Sequence, residues 1–126
     1  MFAFTIDNVV RFCKVPNQAI RLGVQYIETD ELPQDPWHEA FEIAGNEVVS
    51  NIPKLKEWAH GRRRAKRMEE FAPHDDTIKL AIPGQDAVAA EAARANIRTK
   101  DSQRQAAIDA CTTEAELRTV IETENL

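Results

Sequence analysis

A long alanine-rich segment near the carboxyl end constrains the fold of this chain more than any other feature. Residues 86–110 read DAVAAEAARANIRTKDSQRQAAIDA, and neither glycine nor proline interrupts them. Alanine has the highest helix propensity, and Asp86 is a favoured N-cap type, so the segment predicts one continuous helix. Thr113 and Glu116 have the spacing of a capping box and predict a short last helix.

The apolar stripe of the long helix is broken in its middle. Ala90, Ala93 and Ile97 recur at helical spacing, and the stripe resumes only at Ile108 and Cys111. The turns between them place charged residues at the same helical positions: Lys100, Asp101 and Arg104. Because unpaired charges are costly to bury, we expect this middle portion to face water or another chain.

The amino-terminal segment MFAFTIDNVVRF shows the period-two alternation of a strand before Asp7-Asn8 and an apolar run after it. Asp and Asn tolerate the left-handed backbone of a tight turn, so the segment predicts a β-hairpin. From Ile20 to Tyr26 apolar residues again recur at period two, which favours a third strand. Ala19 and Ile27 leave a helix as an alternative there.

The central region predicts one helix and one strand. After a polar loop at residues 29–36, Asp35-Pro36 has the N-cap and first-turn residue types of a helix that reaches Ala44 and ends at Gly45. The apolar face of this helix would comprise Trp37, Ala40, Phe41 and Ala44. Val48-Val49 then predicts a short strand.

From Pro53 onward apolar residues keep three-to-four spacing, which predicts a helix with Gly61 as a weak point. Pro73 lacks an amide N–H, so the sequence Phe71-Ala72-Pro73 is expected to interrupt this helix. A second short helix would begin at Pro73 and close at the turn Ile82-Pro83-Gly84.

Together these patterns predict an α+β fold, in which a small N-terminal antiparallel β unit of about three strands precedes a mainly helical C-terminal region of roughly four helices. We expect a β-rich unit with one short helix over residues 1–53 and a helical region over residues 54–126. A length of 126 residues fits one ordinary domain, or a very small unit plus a helical one.

A basic block interrupts an otherwise acidic chain. Residues 54–67 read KLKEWAHGRRRAKR, with Glu57 as the single acid, whereas the whole chain carries a net charge of −5. Such a block can neutralise nucleic-acid phosphates, but Trp58 is its only aromatic residue, and no phosphate loop or helix-turn-helix spacing accompanies it. The composition favours a solvated helix face, or pairing with acidic segments of the same or a partner chain.

The two cysteines and the first residues of the chain indicate its cellular compartment. Cys13 and Cys111 are too far apart for a zinc or CxxC motif and predict free thiols in a reducing compartment. A long-range disulfide and a covalent bond to a partner chain are the alternatives. The first twelve residues carry neither a basic leader nor a long apolar core, so we expect no signal peptide, no membrane span and a soluble protein.

Residues that could carry catalysis or bind a metal are isolated. His38 and Glu42 share a predicted helix face, but a metal site needs a third ligand. Asp75-Asp76, next to His74, are typical of carboxylates that stabilise a helix N-terminus. No nucleophile-elbow or cysteine–histidine motif surrounds the candidate nucleophiles Cys13, Ser50 and Ser102. We therefore expect no enzyme, no metal and no cofactor.

The segment from Arg62 to Ala110 resembles the C-terminal module of phage tail-fibre assembly chaperones. In that family an arginine-bearing helix leads into an "apL-da" step and then into a capped acidic helix with a late arginine. The residues that carry the likeness are Arg64 and Arg67 in the first helix, Ala72-Pro73-His74-Asp75 at the step, Asp86 and Glu91 at the capped helix, and Arg104 late within it.

The resemblance implies binding to the receptor-binding end of a trimeric fibre, help with its folding or trimerisation and, in some systems, retention in the particle. Two features of this chain depart from the family. The tryptophan and tyrosine that usually precede the late arginine are absent, with Ile97 and Ser102 in that neighbourhood, and the helix at 112–126 is an addition.

The leading hypothesis is a non-enzymatic bacteriophage tail-fibre assembly chaperone or accessory protein that works in the host cytoplasm during assembly, with retention in the virion tail left open. The alternatives are a minor virion structural protein of the fibre or baseplate, and a small nucleic-acid-associated regulator. We expect a protein partner, either a trimeric tail fibre or another tail protein, and no membrane; a homo-oligomer is left open. The residues expected to contact the partner are Phe2, Phe4, Trp58, Arg62, Arg63, Arg64 and Arg67.

Overall fold

A computed structural model describes residues 1–29, 35–80, 83–84 and 86–126, apart from the side chain of His38. These ranges contain five β-strands and four α-helices, and the predicted α+β fold with its β-rich start and helical remainder is confirmed. The contacts divide the chain into two compact units, Met1–Trp58 and Ala59–Leu126. The domain boundary predicted after residue 53 stays a prediction, because these contacts do not test whether either part folds alone.

The predicted hairpin is confirmed at the start of the first unit. Strand β1 (Phe2–Ile6) pairs in antiparallel fashion with β2 (Val9–Cys13), and Asp7 and Asn8 take φ values of 50° and 64°. Two left-handed residues give a turn whose twist matches that of the flanking strands. Strand β3 (Tyr26–Glu28) pairs with the other side of β1, so the sheet has the order β2-β1-β3.

The third strand begins later than predicted because a short helix precedes it. Helix α1 (Asn17–Leu22) ends at Gly23, which takes a φ of 66°. The Gly23 N–H donates to the Ile20 carbonyl at 3.1 Å, and the Val24 N–H donates to the Ala19 carbonyl at 3.1 Å. Glycine adopts this left-handed conformation readily, so it ends the helix here. A strand that starts at Ile20 is therefore wrong, and the helix alternative is right for this stretch.

The helix predicted over residues 35–44 is wrong. A 3-10 helix, His38–Ala40, leads directly into strand β4 (Phe41–Ala44), which pairs with β5 (Glu47–Ser50). Gly45 takes a φ of 63° in the turn between them, so it connects two strands and does not end a helix. Strand β5 contains the short strand predicted from the paired valines, and that prediction is confirmed.

Aromatic contacts join the elements of the first unit. The rings of Phe12 and Phe41 meet edge to face with centroids 6.3 Å apart, and those of Trp37 and Trp58 meet at 5.6 Å. Such pairs contribute about 0.5–1.5 kcal/mol beyond the burial of their surface. The buried apolar side chains of this unit are Ala3, Phe4, Val10, Ala19, Trp37, Ala40, Phe41 and Leu55.

Helix α2 (Ile52–Leu80) is continuous, so the interruption predicted at Pro73 is wrong. Pro73 removes the donor that would bond the Glu69 carbonyl, but both residues are exposed, and water can satisfy that carbonyl. The turn predicted to follow cannot be compared, because Ile82 lies outside the described residues, as do residues 30–34 of the predicted polar loop.

The last two predicted helices are confirmed with their N-caps. Helix α3 (Ala87–Ala110) begins after Asp86, whose carboxylate accepts hydrogen bonds from the N–H groups of Val88 and Ala89 at 2.9 and 3.1 Å. Helix α4 (Glu114–Thr123) begins after Thr113. The buried apolar residues of the second unit are Ala59, Ala90, Ile97, Ile108, Cys111, Leu117 and Ile121. None of the helices in the described ranges is long and apolar enough to cross a membrane.

Replacing Pro73 by alanine should stabilise the protein by about 1–3 kcal/mol, because the exposed helix interior regains a hydrogen bond and loses a steric clash. Thermal unfolding followed by circular dichroism measures the effect as a rise in Tm. The matched change Ala72→Gly, at the neighbouring exposed position, should lower Tm. A Tm that falls on Pro73→Ala would show that the helix depends on the proline.

Candidate functional site

The arginines of the basic block divide into a buried set and an exposed set on α2. Arg63 is 6% exposed and donates to Asp101 Oδ2 at 2.7 Å. Arg67, one helical turn later and half-buried, donates to the same oxygen at 2.9 Å. Arg62 and Arg64 are exposed, and neither forms an ion pair within the described part of the chain. The structure therefore separates the four arginines that the sequence grouped as one binding site.

Asp101 is a buried carboxylate shared by two guanidinium groups. Its side chain is 6% exposed, and its Oδ1 atom has no hydrogen-bond partner among the described residues. Desolvation of a charge is unfavourable, and the two arginines offset it with charge-assisted hydrogen bonds. Asp101 therefore belongs to the interface between α2 and α3. The expectation that the middle of α3 faces water or another chain is wrong at this position.

Arg104 forms a second buried link one turn along α3. Its Nη1 and Nη2 atoms donate to the two carboxylate oxygens of Glu70 on α2 at 3.0 and 3.1 Å, and its Nε donates to Glu124 beyond α4 at 3.0 Å. The hydrogen bonds from Arg104 lower the pKa of the Glu70 carboxyl below its ordinary value of 4.5, against the opposing effect of burial. Arg104 thus holds three elements of the second unit together.

A third group of ion pairs lies nearer the N-terminus of α3. Arg94 Nε is 2.9 Å from Asp75 Oδ1, and Arg94 also donates to Glu91 at 2.8 Å. The guanidinium carbons of Arg94 and Arg98 lie 5.6 and 5.9 Å from the centroid of the Phe71 ring. Asp75, which the sequence placed at a helix N-terminus, is instead an ion-pair partner inside α2.

Two lysines of the basic block also bind within the chain. Lys66 Nζ donates to the carbonyl oxygens of Glu124 and Asn125, which follow α4. Lys54 Nζ donates to the Asn8 carbonyl at 2.8 Å in the first unit. The predicted pairing of the block with acidic segments of the same chain is therefore confirmed for Arg63 and Arg67, while these lysines bind backbone carbonyls.

The isolated polar residues mostly have structural partners. His60 Nε2 lies 2.8 Å from Asp109 Oδ1, and the Glu42 carboxylate accepts a hydrogen bond from Asn51 at 2.8 Å. The helix face predicted to hold both His38 and Glu42 is wrong, because His38 lies in the 3-10 helix and Glu42 lies in strand β4. Within the described ranges, no three His, Cys, Asp or Glu residues are grouped to hold a metal ion.

Both cysteines are free thiols in the structure. Cys13 is half-buried, whereas Cys111 is buried and its Sγ donates to the Ala107 carbonyl at 3.1 Å. Cys13 is therefore the more accessible of the two.

The structure places the predicted aromatic contact residues at different depths. Phe4 is fully buried in β1, whereas Phe2 is half-buried against the ring of Tyr26, with centroids 5.7 Å apart. Trp58 is half-buried against Trp37. Because β1 is the central strand of the described sheet, β2 and β3 are its edge strands, and β1 itself cannot accept a partner strand.

Four large apolar side chains are exposed in one short segment of the first unit. They are Val15 at 56%, Ile20 at 59%, Leu22 at 53% and Tyr26 at 42% of full exposure, and we call them the exposed apolar cluster. Ile20 and Leu22 lie on α1, Val15 precedes it, and Tyr26 opens β3. The sequence did not indicate this cluster, because Ile20, Leu22 and Tyr26 fit the buried face of the predicted third strand and Val15 lies in the break before it.

The outer edge of β3 presents backbone groups next to this cluster. The Thr29 N–H donates to the Met1 carbonyl at 2.7 Å, and hydrogen-bonded pairs alternate along antiparallel strands. The register of β3 on β1 therefore directs the backbone of Ile27 toward β1, and the N–H and C=O groups of Tyr26 and Glu28 away from it. A groove of 490 Å³ beside Tyr26 is lined by Val24, Gln25, Tyr26, Ile27, Ile43, Gly45 and Asn46.

Comparison of the chain with protein-family models, curated proteins and solved structures finds no match.

Arg63→Ala should lower the free energy of unfolding by about 3 kcal/mol, because it leaves Asp101 buried with only one cation. Arg64→Ala, the adjacent exposed arginine, should change it by less than about 0.5 kcal/mol. Urea unfolding followed by circular dichroism compares the two variants. Equal changes in the unfolding free energy of the two variants would contradict the assignment of Arg63 as buried and Arg64 as exposed.

Acid should weaken the link between Glu70 and Arg104. Since the folded-state pKa of Glu70 is lowered, its stabilisation is fully present above pH 4.5 and is lost as the pH falls toward the lowered pKa. The difference in unfolding free energy between the native protein and Glu70→Gln should therefore be larger near neutral pH than in acid. Glu69→Gln, which removes an exposed carboxylate from the adjacent position, is measured alongside as the control for the loss of one negative charge. A difference that stays constant with pH would contradict the role given to Glu70.

Proposed function

We propose that this chain is a non-enzymatic protein-binding protein, and that it acts as a bacteriophage tail-fibre assembly chaperone or accessory protein in the host cytoplasm. The observation that supports the proposal most is the exposed apolar cluster of the first unit. Its four exposed side chains lie within residues 15–26, and exposed apolar surface of this kind is typical of sites that bind proteins. An assembly chaperone needs such a surface to cover apolar groups that its client has not yet buried.

The residues that carry the likeness to tail-fibre chaperones have structural roles in this chain. Arg67 binds Asp101, Arg104 binds Glu70, and Asp86 caps α3. The likeness therefore concerns how the helices of the second unit are held together. We infer that contact with a client is made elsewhere, and the exposed apolar cluster is the surface best suited to it.

A minor structural protein of the virion is a second candidate, and the open edge of β3 favours it. Backbone N–H and C=O groups that point outward from an edge strand can pair with a strand of another protein. In such a role the chain would remain in the mature particle, next to the fibre or baseplate protein whose sheet it extends.

The basic block supports a nucleic-acid role less well. Arg63, Arg67, Lys54 and Lys66 all donate to groups of the same chain. Binding to duplex DNA would require several of these cations to leave their partners, or a site built on few phosphate contacts. Either case predicts weak binding, because affinity depends on the number of phosphates neutralised.

Co-expression of the chain with a candidate trimeric tail fibre tests the proposed function. The native protein should raise the yield of soluble trimeric fibre, and the double variant Ile20→Ser with Leu22→Ser should lose this effect and co-purify less fibre, since exposed apolar side chains supply the contact. The control Met68→Ser with Val88→Ser removes two side chains that are 70% and 80% exposed in the second unit. It should behave like the native protein.

The opposite pattern, with loss only in the control, would overturn the assignment of the first unit as the binding surface. Mass spectrometry of purified particles separates the two candidates. Absence of the chain from mature particles supports the chaperone role, and its presence at a fixed ratio to another tail protein supports the structural one.

A further inference from the structure

The segment that carries the exposed apolar cluster also carries three cations without an ion-pair partner among the described residues. Arg11, Lys14 and Arg21 are exposed, and none of them forms an ion pair within the described part of the chain. Residues 8–27 contain these three cations and no Asp or Glu. In a chain with a net charge of −5, this segment is therefore a local region of positive charge, with Asp7 and the exposed Glu28 at its two ends.

The chain connections keep these cations close to the apolar cluster. Arg11 lies opposite Phe4, and Phe4 lies opposite Tyr26, so Arg11 and Tyr26 share one face of the sheet. Lys14 is adjacent to Val15, and Arg21 lies on α1 between Ile20 and Leu22. The connectors on both sides of α1 are only three residues long, so they keep the ends of α1 within roughly 14 Å of the ends of β2 and β3.

We propose that the client binds this surface through an acidic amphipathic segment, whose apolar side chains cover the exposed apolar cluster while its carboxylates meet Arg11, Lys14 and Arg21. This proposal rests on the proposed function for the existence of a protein client, and it adds the chemistry that selects the client. Complementary charge would steer the segment to the surface and fix its orientation, whereas apolar burial would supply most of the affinity.

A polypeptide fits this surface better than an anionic membrane. The outward N–H and C=O groups of Tyr26 and Glu28 lie beside the apolar cluster, and another polypeptide backbone can pair with them. The net negative charge of the whole chain opposes approach to an anionic bilayer at long range. The local positive charge acts over about a Debye length, which is sufficient for a docked peptide.

Two designed peptides with leucines at identical positions test the proposal with defined probes. One carries glutamate at every polar position, and the other carries lysine. The native protein should bind the glutamate peptide at least about tenfold more tightly, and its affinity should fall as salt is added. Isothermal titration calorimetry gives both affinities, and vesicles of phosphatidylcholine with phosphatidylglycerol serve as the lipid probe.

Matched charge reversals identify the surface. Lys14→Glu with Arg21→Glu should weaken binding of the glutamate peptide by about tenfold or more, whereas Arg62→Glu with Arg64→Glu should change it by less than about twofold. Arg62 and Arg64 are also exposed and form no ion pair with the described residues. Each double variant replaces two cations by two carboxylates, so both change the net charge equally. Circular dichroism checks that each variant remains folded.

Equal affinity for the two peptides would overturn the acidic preference, and so would equal effects of the two charge reversals. Binding to the vesicles but not to the peptides would overturn the choice of a protein client. If the peptide results hold but the tail fibre does not bind, the tail-fibre function fails while the chemistry of the surface stands. If the fibre depends on Ile20 and Leu22 but the peptides are not distinguished, the function stands and this inference fails.

Discussion

The burial of Asp101 between Arg63 and Arg67 is the constraint on which the second unit depends. A buried carboxylate that loses its cationic partners destabilises a fold by about 3–5 kcal/mol. Helices that bury Asp101 must therefore also place cations in contact with it. Arg104 with Glu70 imposes the same condition one turn further along α3. Apolar burial is non-directional, so apolar contacts select one position of α3 along α2 less strongly than paired charges do. The ion pairs add that selection, because a shifted helix would leave several buried charges without partners.

The same constraint changes how the basic block is understood. A cluster of lysine and arginine in an acidic chain suggests an external anion, yet burial and distance show that Arg63 and Arg67 satisfy an internal one. The remaining exposed arginines are too few to form an extended phosphate-binding surface. In the first unit, by contrast, Arg11, Lys14 and Arg21 form no ion pair with the described residues, and they lie in the same segment as the exposed apolar cluster.

Local sequence signals predicted the fold correctly where one or two residues determine the backbone conformation. Asp7-Asn8 supplied a two-residue turn, and Asp86 and Thr113 supplied N-caps, so the hairpin and the last two helices were predicted correctly. The predictions failed where contacts with another segment determine the secondary structure. Residues 41–44 have helical spacing of apolar groups, but β5 offers them a strand partner across Gly45. Pro73 would end an isolated helix, but in this protein α2 continues through it. The break in the apolar stripe of α3 was visible in the sequence, although only the structure shows that α2 provides the partner charges for Asp101 and Arg104.

Helix α1 shows why the candidate binding surface could not be predicted from periodicity. A helix of six residues is too short to be stable alone, and Ala19 is its only buried side chain. Its position is set by Gly23, by short connectors and by this one small residue, and none of these requires Ile20 or Leu22 to be apolar. Ile20 and Leu22 keep 59% and 53% of their surface exposed, so burial alone does not require an apolar residue at either position. Exposed apolar side chains on so short a helix therefore give no periodic signal that separates them from the buried face of a strand.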